Sequence, residues 1–236
     1  MRLLLALAFA WLAGAAAAAP AVDLALVLAV DASGSIDPGE FELQRAGYAA
    51  AFRDARVIEA IRSGPQHAIA VTYFQWSGPR LQDQVIGWTV IGDDESALVF
   101  ADRVAAAPRR IFGGGTSVSG AIDYGAMLLA QSGIEANRRV IDLSGDGSNN
   151  VGRLAEYARD EAVAAGITIN ALAILSDEKL LDIWYRDNAI GGAGAFVMAV
   201  ADFDGFAPAL LNKLVREIAR MPAGRGPQAS ARATAP

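Results

Sequence analysis

The run Leu24-Ala25-Leu26-Val27-Leu28-Ala29-Val30 ends abruptly in Asp31-Ala32-Ser33-Gly34-Ser35. An apolar run without polar alternation reads as a strand covered on both faces, which calls for a sheet with helices on either side. This strand, spanning Val22–Val30, delivers a carboxylate and two hydroxyls at alternate positions into a loop that opens a helix. Oxygen donors in that pattern suit a hard divalent cation.

The rest of the chain repeats the plan. Asp37 as N-cap, Pro38 at the first helical position and Glu40 two residues on predict a helix start. Phe41, Tyr48 and Phe52 share one face of a single helix that runs to Ser63-Gly64-Pro65. His67–Trp76 and Leu81–Ile91 read as strands joined by the turn Ser77-Gly78-Pro79-Arg80. So short a connection joins only antiparallel neighbours. Further strands are expected over Arg138–Leu143, Ile167–Leu175 and Ala195–Val200. Helices are expected over Asp94–Ala107, from a cap at Thr116 or Ser117 to about Ser132, over Arg153–Ala165, from Ser176 or Asp177 to before Gly191, and over Phe206–Arg220. Alternating strands and helices with one hairpin predict an α/β fold with a doubly wound, mostly parallel sheet. Ligands of such sheets bind outside the carboxyl ends of the strands, where the strand order reverses. Asp31 and Asp146 each lie just past a strand end.

Composition removes several classes of function. There is no cysteine and a single histidine, His67, so thiol chemistry, cysteine zinc sites and multi-histidine metal sites are excluded. A net charge of −6 is a poor basis for general nucleic-acid binding, which depends on neutralising phosphates. Met1-Arg2, the apolar Leu3–Leu12 and the small residues Ala15–Ala19 ahead of Pro20 form the pattern of a secretory signal peptide over 1–19. No later segment is long and apolar enough to span a membrane. The expected product is an exported protein, periplasmic or secreted, with one α/β domain over 20–220 and a disordered tail over 221–236, rich in Ala, Gly, Pro and Arg. Export without disulfides leaves packing, or a bound ion, to stabilise it.

Asp31-x-Ser33-x-Ser35, Thr116 after Gly113-Gly114-Gly115, and Asp146-Gly147 after a strand resemble the metal-ion-dependent adhesion site of von Willebrand factor type A domains. The likeness extends over about Val22–Arg220, and the whole chain is similar to a family of small exported bacterial proteins without assigned function, in which a run like Ser144-Gly145-Asp146-Gly147-x-Asn149-Asn150 is typical. Many domains of the wider family carry Ser or Thr directly before the aspartate, where this chain has Gly145. The resemblance implies a six-stranded Rossmann-like sheet in the order 3-2-1-4-5-6 with the third strand antiparallel. It also implies that Ser33 and Ser35 bind a cation directly, that Thr116 binds directly or through water, and that Asp31 and Asp146 act largely through water. The implied ion is magnesium, with calcium or manganese as substitutes, and the implied ligand is a Glu or Asp side chain of a protein partner.

That leads to a non-enzymatic, cation-dependent, adhesion-type binding module. Two alternatives stand beside it. An aspartate at the end of the first strand is also where aspartyl-phosphate enzymes place their nucleophile, but the general acid expected two residues on is Ser33 here. The other is a structural subunit of an envelope complex with a stabilising ion. Other polar residues receive plainer readings: His67 as a structural histidine, Asn149 and Asn150 as shapers of their loop, Asp123 as surface or supporting, Arg109 and Arg110 as solvated loop charges, and Trp76, Trp88 and Trp184 as packing residues. Asp142 either lies buried, orienting a loop, or faces solvent near the sheet end.

Overall fold

A computed structural model describes residues 21–219. The expected signal peptide over 1–19 and the expected tail over 221–236 lie outside the described residues. The sheet has six strands in the order β3-β2-β1-β4-β5-β6. They are β1 (Ala21–Asp31), β2 (Ile69–Trp76), β3 (Gln82–Ile91), β4 (Glu135–Gly145), β5 (Thr168–Ile174) and β6 (Val197–Val200). All neighbours run parallel except β2 and β3, the hairpin whose short turn permits nothing else.

The apolar run of β1 divides between two cores, because successive side chains point to opposite faces. Leu24, Leu26, Leu28 and Val30 enter one core with α1 (Pro38–Ala51), α2 (Ala55–Arg62), α3 (Asp94–Ala105) and α7 (Phe206–Ile218). Ala25, Val27 and Ala29 enter the other, with α4 (Val118–Gln131), α5 (Ala155–Ala164) and α6 (Leu181–Asn188).

The start of α1 follows its sequence signal: Asp37 Oδ1 accepts the Glu40 N–H at 2.8 Å, and Glu40 returns a contact to the Asp37 N–H at 2.8 Å. Its end does not. The single helix expected to reach Ser63 breaks after Ala51, and Asp54 caps a second helix by accepting the Arg56 N–H at 2.9 Å. No Gly or Pro marks the break; the carboxylate competing for a backbone amide makes it. The helix expected from Ser176 or Asp177 begins only at Leu181, and β4 extends on both sides of the expected Arg138–Leu143.

Asp142 is fully buried on the α7 face of β4. It is ion-paired with Lys213 of α7, which also lies 3.3 Å from Glu217. Asn170 of β5 donates to Glu217 at 2.6 Å, and Arg138 of β4 donates to the Glu217 and Ile218 carbonyls at 2.9 and 3.0 Å. Burial pushes the Asp142 carboxyl well above its usual range, with Lys213 pulling it back. His67 is exposed and carries the one positive φ among described non-glycine residues, 53°, and its Nδ1 contacts the Arg62 carbonyl at 2.6 Å.

Candidate metal centre

β1 has β2 on one side and β4 on the other, so the chain's direction of travel across the sheet reverses between β1 and β4. A crevice forms outside the carboxyl ends of strands at such a point; of the five expected ligand residues, Ser35, Thr116 and Asp146 line a cleft there, and Asp31 and Ser33 are buried where β1 leads into it.

Asp31 closes β1 and pairs with Trp76 of β2. Its carboxylate is buried, and Oδ1 accepts the Ser33 N–H at 2.8 Å, which turns the chain back on itself. Oδ2 is buried and without a hydrogen-bond partner among the described residues. Ser33 and Ser35 place their Oγ atoms 3.2 Å apart, and Ser35 Oγ donates to Asp146 Oδ1 at 2.8 Å.

Thr116 arrives by a separate route. Ser77, just past β2, holds the glycine loop through the Gly113 and Gly115 carbonyls, at 2.7 and 3.0 Å. Gly113 and Gly114 have φ of 84° and 100°, open to glycine at little cost. The Gly34 N–H donates to the Gly114 carbonyl at 3.2 Å, joining this loop to the serine loop. Asn150 clamps Thr116 from the far side: its Oδ1 accepts the Thr116 N–H and its own N–H donates to the Thr116 carbonyl, both at 2.9 Å. Asn149 Oδ1 accepts the Ser119 N–H at 3.0 Å. Both asparagines therefore shape the loops. The expected helix cap is Ser117, which accepts the Gly120 N–H at 3.2 Å.

Ser35, Thr116, Asp146, Asn150, Asp177 and Glu178 line one cleft of about 290 Å³. Burial, reinforced by the Asp146 charge, pushes the Asp31 carboxyl up to about 7. Burial also pushes Asp146 up to about 6, against the Ser35 hydrogen bond and with help from Asp177 and Glu40. Two crowded carboxylates that resist ionising are in the state a divalent cation would relieve.

The donor set fits such an ion. It offers only carboxylate and hydroxyl oxygen, as magnesium, calcium and manganese prefer, and the stranded Asp31 Oδ2 has unused acceptor capacity. Among the described residues no three His, Cys, Asp or Glu side chains form a metal-binding group, so a cation here would depend on the hydroxyls.

Several supporting residues gave no sequence signal. Arg109, expected to be a solvated loop charge, is half-buried, and its guanidinium donates to the carbonyls of Ala32, Ser33 and Ile36 at 3.2, 3.3 and 2.9 Å. It packs between Phe41 and Phe112, 5.3 and 5.5 Å from their ring centroids. Gln44, fully buried on α1, donates to the Asp31 carbonyl at 3.2 Å. Arg110, by contrast, is exposed and reaches Asp83 at 3.5 Å. Gly145, the departure from the common pattern, has a local reason: a Cβ there would lie 2.8 Å from Asp31 Oδ2 and 2.9 Å from Tyr185 Oη.

The family described as "Protein of unknown function (DUF1194)" matches residues 21–222. The chain belongs to this family. Its fold is that of a von Willebrand factor type A domain. Among solved structures, proximal thread matrix protein 1 from the mussel byssus, with a zinc-occupied MIDAS motif, superposes with a TM-score of 0.63 at 14% identity, covering 86% of this chain and 50% of that one. The pilus adhesin SpaC of Lactobacillus rhamnosus GG gives 0.60 at 15%, covering 84% and 31%. The vWF domain of the type V pili tip protein Mfa5 of Porphyromonas gingivalis gives 0.58 at 11%, covering 84% and 95%. The chain spans about half the length of the byssus protein. At these identities the likeness is one of fold. Among curated proteins, none matches the sequence.

Proposed function

We propose that this protein is an exported, non-enzymatic binding module that captures an acidic side chain of a protein partner through a divalent cation, magnesium foremost. Asp31, Ser33, Ser35, Thr116 and Asp146 hold the ion, the serines directly and the aspartates largely through water. The observation that carries this reading is the chain of contacts Ser33–Ser35–Asp146 beside the stranded Asp31 Oδ2, at the point where β1 and β4 part. Neutral hydroxyls next to the ion leave it strongly electrophilic, and magnesium retains exchangeable water positions that an incoming carboxylate can take.

The cleft also argues for strict cation dependence. Asp146, Asp177 and Glu178 line it, and among the described residues no Lys, Arg or His does. An anionic ligand is repelled until a cation is in place. The leader pattern over 1–19 and the likeness in fold to a pilus adhesin support export and an adhesive role.

Calorimetric titration of magnesium into the wild-type protein and the Ser33→Ala variant tests the site. Saturable binding that weakens roughly tenfold or more in the variant is expected; equal affinity would remove Ser33 from the site. Hydrolysis of a generic phosphomonoester by the magnesium-loaded protein, lost in Ser33→Ala, would replace the binding module with an enzyme.

A further inference from the structure

Two buried oxygens meet behind the candidate site beside the Trp76 ring, each without a hydrogen-bond partner among the described residues: Asp31 Oδ2 and Tyr185 Oη. Gly145 marks the meeting place. A Cβ built on it would lie 2.8 Å from Asp31 Oδ2, 2.9 Å from Tyr185 Oη and 3.3 Å from Trp76 Cζ2. The two oxygens are thus within about 6 Å of one another, a gap that one water can bridge.

Tyr185 comes from α6, remote in sequence from the ligand loops, and is fully buried. Its ring has packing of its own, 5.5 Å from Trp184 in an edge-on arrangement at 72°, within the core on the α4–α6 face of the sheet. A phenylalanine would supply that packing without stranding an oxygen. The phenol hydroxyl is a hydrogen-bond donor. Asp31 has one oxygen fixed by the Ser33 amide, and its other oxygen awaits a donor.

We propose that Tyr185 is a positioning residue of the metal centre, its hydroxyl serving as the partner of Asp31 Oδ2 through one bridging water. This rests on the reading of Asp31 as a carboxylate of the cation site. Donation to Oδ2 fixes the carboxylate plane and favours its charged form, the form that attracts the ion. Tyr185 approaches Oδ2 from the interior, through the space a side chain at position 145 would occupy.

The test compares wild type, Tyr185→Phe and Trp184→Phe by three readouts: melting temperature of the metal-free protein, magnesium affinity by calorimetry, and the near-ultraviolet difference spectrum on adding magnesium. The magnesium affinity of Tyr185→Phe is expected to fall about tenfold, a loss larger than any change in the melting temperature of the metal-free protein accounts for. The tyrosine band in the wild-type difference spectrum is expected to be absent from Tyr185→Phe and retained in Trp184→Phe. Wild-type affinity and an unchanged difference band in Tyr185→Phe would overturn the proposal, as would an affinity loss that only tracks a lowered melting temperature or is equalled by Trp184→Phe. If wild type itself binds no magnesium, calcium or manganese, the metal reading fails in that arm, before the variant is consulted.

Discussion

Ser35 Oγ donates to Asp146 Oδ1 at 2.8 Å, joining the loop after β1 to the loop after β4 across 111 residues of chain. The contact exists because β1 and β4 pair in parallel, with Val30 opposite Ser144, so both strands end at the same level. Register fixes the height of both loops, and the reversal of strand order opens the space between them.

Gly145 is a tight point of this arrangement. Gly145→Ala would put a methyl group 2.8 Å from Asp31 Oδ2 and 2.9 Å from Tyr185 Oη. Both belong to packed side chains, so relief requires shifting a core residue. A loss of about 1–3 kcal/mol in chemical denaturation is expected, together with weaker cation binding. Gly133, where nothing lies within 4 Å of an added Cβ but φ is 65°, is the comparison: Gly133→Ala is expected to carry a backbone cost and no loss of cation affinity.

The carboxylates give a signed pH dependence. In the metal-free protein Asp31 titrates near 7, after burial and the Asp146 charge, and Asp146 near 6. Both lie above the unfolded range near 4. Their contribution is therefore present in full below about pH 4 and is lost as pH rises through 6 and 7. Denaturation in a chelator is expected to show Asp31→Asn gaining on wild type across that window, by on the order of a few kcal/mol, with the gap closed in acid. Magnesium is expected to reverse the order at neutral pH by stabilising wild type alone.

Lys213 should be the most costly single truncation on α7. Lys213→Met leaves Asp142 and Glu217 buried without their cation. A loss of roughly 3–5 kcal/mol is expected for one broken partner of a buried charge cluster. The loss should shrink at low pH, where Asp142, already pushed up by burial, takes a proton. Urea denaturation at two pH values checks both the size and the sign.

Arg109 supports the serine loop from beneath by holding three of its carbonyls. Arg109→Lys keeps the charge but loses the fork that spans several acceptors. Magnesium affinity is expected to fall roughly tenfold in both Arg109→Lys and Arg109→Ala. Rescue by Lys would reduce the role of Arg109 to its charge.

The sequence by itself determined the layered fold. The apolar run of β1 demanded cover on both faces, the Ser77–Arg80 turn forced an antiparallel hairpin, and Asp37-Pro38-x-Glu40 fixed the start of α1, because each is a local pattern with a local cause. It also singled out Asp31, Ser33, Ser35, Thr116 and Asp146, of which Ser35, Thr116 and Asp146 line one cleft. The break at Asp54, the burial of Asp142 against Lys213, the grip of Arg109 and the approach of Tyr185 to Asp31 were decided only in the tertiary structure. Each depends on which distant side chain arrives at a strand end or helix face. An arginine before a glycine loop, or an aspartate inside a strand, looks the same in sequence whether water or protein surrounds it, and the difference arises only once packing has removed the water.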